Sequence, residues 1–214
     1  MHPAVALGIA YLSGSVPSAY LAGRALKGID LRTVGSGNLG ATNVYRNLGT
    51  RAAVGVLVMD ALKGALPVAL LPRLLDERFV TSANAALWWG LACGIVAIAG
   101  HAKPIFLLGR GGGKGVATAS GVFAALAPAA LGVALIAFVF TAWRSGFVSL
   151  ASLVAAAVLP AALLLTVGVR SPLFVVSLAV AGFVIWAHRA NIGRLRQGTE
   201  PRTFSRKART KEAA

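Results

Sequence analysis

The amino-acid sequence predicts an all-α, polytopic integral membrane protein with seven transmembrane helices, two of them short, the N-terminus outside and the C-terminus cytoplasmic. Three observations carry this expectation. Of 214 residues, 57% are hydrophobic and only 13% charged, about half the charged share of a soluble domain, and the mean hydropathy is +0.76. Six acids (Asp30, Asp60, Asp76, Glu77, Glu200 and Glu212) stand against 21 Lys and Arg. Those bases punctuate long apolar runs instead of covering a compact basic domain, which argues for a membrane and against a nucleic-acid partner.

The clear apolar runs fall at about 4–22, 52–72, 84–104, 147–167 and 172–188. Each is near the ~20 residues a helix needs to cross ~30 Å of hydrocarbon. Residues 115–143 carry no charge before Arg144, and at ~1.5 Å per residue they would make a helix of ~42 Å, too long for one untilted span. Pro128 sits near their middle and breaks or kinks a helix there. The expectation is therefore two short spans, 115–127 and 129–143. Charge asymmetry selects seven crossings over six. With the N-terminus outside, seventeen bases lie inside, in 23–51, in 101–114, at Arg144 and from Arg189 onward, against Arg73, Arg78 and Arg170 outside. Residues 1–200 form one membrane domain, and 201–214 a basic, disordered tail that adheres to anionic lipid. No positive n-region precedes the first run, so no cleaved leader is expected. The single cysteine, Cys93, lies in an apolar run and packs there, which excludes disulfides and thiolate metal sites.

Three polar segments fall on the cytoplasmic side in this topology: VGSGNLGATNVYRNLG (34–49), GHAKPIFLLGRGGGKGVATASG (100–121) and HRANIGRLRQGTE (188–200). The first offers Ser36, Asn38, Thr42 and Asn43 among glycines, then Arg46. A helix starting near Thr42 would aim its positive end at a ligand. In the second, Lys114 precedes an apolar helix. The P-loop template fails here, because Leu108 and Gly115 stand where it wants Gly and Ser or Thr. What remains is anion chemistry without nucleotide specificity. In the third, His188 and Asn191 are three apart, on one helical face. None of the three is read as contributing a carboxylate. Taken singly, each is as well explained by close helix packing or headgroup contacts. Together they point to phosphate binding at the membrane surface.

No H-E-x-x-H or cysteine cluster holds zinc, and no G-x-S-x-G elbow supplies a nucleophile. Asp60 and Lys63, at i and i+3, read as a pair that neutralises itself. Neither a metal nor a cofactor is expected. The chemistry should use a substrate that arrives activated.

On GSGNLGATN, on GH-x-x-P-x-F leading to GGKGVAT, and on HRANIGRL, the sequence resembles the bacterial acyl-phosphate-dependent glycerol-3-phosphate acyltransferases, the PlsY family. Weaker matches are GSVPSAYL, DALKG and FVSLAS. The resemblance runs nearly end to end and stops near residue 200. The stretch from Pro104 to Lys114 looks one residue longer than the family pattern, with an extra glycine. The resemblance implies transfer of a fatty acyl group from acyl phosphate to the 1-hydroxyl of sn-glycerol 3-phosphate, giving lysophosphatidic acid and phosphate for phospholipid biosynthesis. It implies a seven-spanning monomer in the bacterial cytoplasmic membrane, with its site facing the cytoplasm. By position, Ser36, Arg46, Lys114, His188 and Asn191 would hold the acceptor phosphate. Asn38, Thr42, Asn43 and the backbone at Gly112 and Gly113 would cradle the donor, with Ser149 near it. The donor's own phosphate would take the proton from the attacking hydroxyl, His188 being the rival base. A small-anion transporter and a lipid-binding scaffold are the alternatives from other classes.

Overall fold

The computed structural model describes residues 1–203, and residues 204–214 of the basic tail lie outside the described residues. Among the described residues every regular element is helical. Contacts divide the chain into two compact units, Met1–Pro128 and Ala129–Ala214.

The first unit contains α1 (Pro3–Ser15), α2 (Ser18–Lys27), α3 (Ala41–Leu48), α4 (Thr50–Leu70), α5 (Ala83–Ala102) and α6 (Val116–Leu126). Val16–Pro17 separates α1 from α2, as a proline disfavours helical backbone in the residue before it. Gly28, at φ +66°, closes α2 and donates its N–H to the Arg24 carbonyl. Two glycine-lined helix crossings hold the unit together. Where α1 meets α5, a Cβ on Gly14 would overlap the Ala97 carbonyl, and one on Gly100 the Tyr11 carbonyl. Where α4 meets α6, Gly64 and Gly121 stand in the same relation to the carbonyls of Thr118 and Ala61. Hydrocarbon tails are as apolar as leucine, so such helices gain from close backbone approach, which only the smallest side chains permit. Cys93 is fully buried beside Ala6, Ala10 and Leu71.

The second unit is built from α7 (Pro128–Ser145, whose first residue closes the first unit), α8 (Val148–Val167), α9 (Pro172–Ala187) and α10 (Arg189–Arg196). The charge-free stretch does break at Pro128. Only α6 is short, however, with 11 residues against 18 in α7. Phe147 caps α8 directly after Gly146, so Arg144, the base in the last turn of α7, and Ser149 are separated by one tight turn. The α9 and α10 helices meet at His188 with a bend of 59°.

Among the described residues, five helical segments are long and apolar enough to cross a membrane: Pro3–Lys27, Thr50–Leu74, Ala83–Leu107, Pro128–Ser145 and Val148–Val167. Counting the bent pair Pro172–Ala187 and Arg189–Arg196 as one span makes six, and α6 is a further, shorter apolar helix.

Candidate active site

The polar segment before α3 is organised from within by Asn43. Its Oδ1 accepts the Ser36 N–H at 3.1 Å and an Asn47 amide hydrogen at 3.1 Å. Its Nδ2 donates to the Leu31 and Val34 carbonyls at 3.0 and 3.2 Å. A carboxamide has two donors and two acceptor lone pairs, so this buried side chain is fully occupied inside the loop. Asn43 therefore shapes the loop that carries Ser36, a different job from the ligand contact the sequence pattern predicts. Val44 and Leu39 bury beneath it with Leu31, Ala53 and Val56. Ser36 itself is exposed, Thr42 lies half-buried in the first turn of α3, and Arg46 is exposed near that helix's end.

A second clamp fixes the same loop. Arg32 grips Asp30 with two charge-assisted bonds, Nε to Oδ1 at 3.0 Å and Nη2 to Oδ2 at 2.7 Å. The guanidinium beside Asp30 holds that carboxyl at about 2, below its ordinary 3.8. The Arg32 stem lies against Gly111, where a Cβ would overlap it. Asn38 Nδ2 reaches the Gly112 carbonyl at 3.4 Å. The first two sequence-predicted clusters thus meet within one unit.

The glycine turn is packed tightly. A Cβ on Gly112 would overlap the Ala102 carbonyl, and one on Gly113 the imidazole of His101. The Gly113 N–H donates to the His101 carbonyl at 3.1 Å, which leaves that glycine a structural part of the turn. Lys114, half-buried, follows at once, and Gly115 at φ +77° caps α6. Beneath the turn lies the expected ion pair. Lys63 Nζ donates to Asp60 Oδ1 at 2.6 Å, with the two side chains only 6% and 3% exposed. Ser18 Oγ donates to the same oxygen at 2.9 Å, and His101 Nδ1 lies 3.8 Å from it. The paired charges, reinforced by Ser18, answer the cost of burying an ion among apolar helices.

In the second unit, His188 forms the bend between α9 and α10. Its N–H donates to the carbonyls of Val184 and Ile185, and its Nδ1 lies 2.8 Å from the Val184 oxygen. Asn191, buried one turn further on, directs Nδ2 to Glu200 Oε1 at 2.6 Å. Ser149 Oγ, at the start of α8, donates to the same oxygen at 2.7 Å, and Arg194 Nε to Oε2 at 2.7 Å. Burial pushes the Glu200 carboxyl up, but the bonds from Asn191, Ser149 and Arg194 outweigh it and hold the group below its ordinary value. The third cluster therefore does contain a carboxylate. Sequence reasoning passed over Glu200, although it is the one acid in a stretch carrying Arg189, Arg194, Arg196 and Arg202.

Apolar crossing helices that end in donor-rich loops, with cations beside glycine turns, define an integral membrane protein that handles anions. The glycerol-3-phosphate acyltransferase family matches residues 4–198. The chain is 45% identical over 191 residues to the glycerol-3-phosphate acyltransferase of Geotalea daltonii, covering 89% of this chain and 92% of the relative. It is 47% identical over 197 residues to that of a Synechococcus strain, covering 92% of each. Two crystal structures of PlsY (YgiH), an integral membrane glycerol 3-phosphate acyltransferase, share the fold. The glycerol 3-phosphate form gives a TM-score of 0.81 at 33% identity, over 95% of this chain and 96% of that one. The lysophosphatidic acid form gives 0.80 at 32%, over 94% of each. The chain belongs to the glycerol-3-phosphate acyltransferase family, of the PlsY type.

Proposed function

We propose that this membrane enzyme takes its acyl group from acyl phosphate and passes it to the 1-hydroxyl of sn-glycerol 3-phosphate. The hydroxyl oxygen forms the new bond to the acyl carbonyl carbon, and the bond from that carbon to the phosphate oxygen breaks. The departing phosphate takes the hydroxyl proton, so lysophosphatidic acid and inorganic phosphate are the products. A mixed anhydride carries its own good leaving group. Positioning and charge stabilisation then supply the acceleration, and no protein nucleophile is required.

The observation that carries this reading is the contact of Asn38 with the Gly112 carbonyl, which joins the Ser36 loop to the Lys114 turn in one rim of donors. In the first unit, Ser36, Arg46 and Lys114 are assigned to the acceptor phosphate, and Asn38, Thr42 and the turn at Gly112 to the donor, with Gly113, whose N–H is spent on the His101 carbonyl, shaping that turn. Asn43 acts by shaping the Ser36 loop. In the second unit, His188 and Asn191 are assigned to the acceptor and Ser149 to the donor. The enzyme works as a monomer in the bacterial inner membrane, with these loops in the cytoplasm.

The test uses the purified full chain in detergent with acyl phosphate and glycerol 3-phosphate, following both products. Lysophosphatidic acid should accumulate in step with phosphate. Lys114→Ala and Arg46→Ala should each lower kcat/KM by at least about a hundredfold, roughly 2.7 kcal/mol, with the thermal unfolding midpoint unmoved. A near-normal rate in either variant removes that cation from the site. Acylation from a thioester but not from acyl phosphate would discard the donor assignment.

A further inference from the structure

The segment after α10 folds back on itself. Gly198, at φ +70°, donates its N–H to the Leu195 carbonyl at 3.2 Å, and Thr199 donates to Arg194 at 2.9 Å. This left-handed turn, which glycine adopts without steric cost, returns the chain along α10. Thr203 then bonds the Gly146 carbonyl at 2.8 Å, just ahead of α8, and Arg202 lies over the Phe147 ring at 5.3 Å. Glu200 is carried inward between these anchors, and its side chain is only 5% exposed.

A carboxylate at that depth is unfavourable unless several donors reach it. Three do, and they differ in kind. Arg194, 39% exposed, would alone make an ordinary half-solvated pair of little worth. The other two are the neutral side chains of Asn191 and Ser149, buried and both directed at Oε1. An ionised carboxylate only accepts hydrogen bonds, so it must be the nitrogen of the Asn191 amide that faces Glu200, and the Ser149 hydroxyl must spend its hydrogen there. Glu200 therefore dictates which way two side chains of the proposed substrate site are turned.

We propose that Glu200 is a positioning residue for glycerol 3-phosphate binding, acting by holding the Asn191 amide and the Ser149 hydroxyl in a single orientation without touching substrate itself. The inference rests on the assignment of Asn191 to the acceptor made above. Glutamine at this position keeps the shape but offers one neutral acceptor oxygen, and its NH₂ meets a donor. That oxygen can still accept from both Asn191 and Ser149, leaving only the half-exposed Arg194 to turn to solvent. Alanine instead removes both acceptor oxygens, strands the two buried donors and frees the Asn191 amide from its fixed setting.

The experiment is a double-mutant cycle read as the Kd for glycerol 3-phosphate, titrated by calorimetry into the full chain in detergent without acyl donor. Glu200→Ala should weaken binding about tenfold, whereas the same change in an Asn191→Ala background should alter Kd by less than about twofold. A general loosening of the fold would weaken both backgrounds alike. Equal losses in the two backgrounds, or no loss in either, overturn the proposal. If Glu200→Ala does not fold, Glu200→Asp withdraws the carboxylate by one methylene and runs through the same cycle with the same expected outcome. An Asn191→Ala variant that binds like the wild type also overturns it, since Glu200 would then act through a residue outside the substrate site. The reaction itself is judged separately, by lysophosphatidic acid formation in the wild type.

Discussion

The imidazole of His188 shows how one hydrogen bond limits a residue's chemistry. A carbonyl accepts only, so the ring nitrogen 2.8 Å from the Val184 oxygen must carry its hydrogen, and the neutral ring keeps its lone pair on Nε2. That nitrogen can remove a proton from the attacking hydroxyl or, once protonated, donate to a phosphate oxygen. On the proposed acyl-phosphate route, the leaving phosphate would accept that proton, and the role we propose for the ring is in binding. We expect His188→Gln, which retains a side-chain N–H of similar reach, to keep kcat within about tenfold, roughly 1.4 kcal/mol. Single-turnover rates at saturating acceptor check this, and a loss of about a thousandfold would make the ring the base. Asn43 marks the limit of reading residues from sequence. Composition grouped it with Asn38 and Thr42, because all three sit among glycines. Whether an amide turns toward solvent or into its own loop depends on carbonyls that spacing does not reveal, here those of Leu31 and Val34.

At the scale of elements, glycines that look alike in the sequence do opposite work. Gly121 on α6 abuts the Ala61 carbonyl of α4, whereas Gly182 on α9 has nothing within 4 Å of where a Cβ would stand. Gly121→Ala must push α6 off α4, and with it the glycine turn that carries Lys114 just ahead of the helix. Its expected effect is a lower unfolding midpoint in detergent together with lost activity. Gly182→Ala should leave both unchanged or raise the midpoint slightly, as alanine is worth up to about 1 kcal/mol over glycine inside a helix. Equal effects from the two substitutions would contradict the packing described. The break at Pro128 was legible because proline has a fixed backbone angle and no donor. The bend at His188 was not. It arises where a side chain and its own N–H both turn back on the preceding helical turn, and hydropathy carries no mark of such a bond. Glu200 escaped for a related reason, since its three partners come from α8 and α10 and are collected only once the Gly198 turn has formed.

For the whole molecule, the number of crossings turns on α6. Its 11 residues span about 16 Å, roughly half of the hydrocarbon thickness, whereas α7 with 18 reaches about 27 Å. If α6 only dipped in and returned to the side it left, the segment from Arg189 onward would face the opposite compartment from the 23–51 loop. The bases argue otherwise. The stretch Arg189, Arg194, Arg196, Arg202 carries the same sign as Arg24, Lys27, Arg32 and Arg46, and opposing such clusters across one bilayer runs against the retention of Lys and Arg in the cytoplasm. A short helix can complete a crossing where the bilayer thins locally or neighbouring helices shield its ends, at a cost of fractions of a kcal/mol per Å of mismatch. The seven-crossing arrangement is therefore the one we propose, and single cysteines can test it. Cys93 is fully buried and removable as Cys93→Ala. In that background, Thr33→Cys and Gln197→Cys, both at exposed positions, should react with a membrane-impermeant maleimide only in inverted vesicles, and Glu77→Cys only in intact cells. Labelling of Thr33→Cys and Gln197→Cys from opposite sides would place the Ser36 loop and Glu200 in different compartments, and an even number of crossings would replace the odd one.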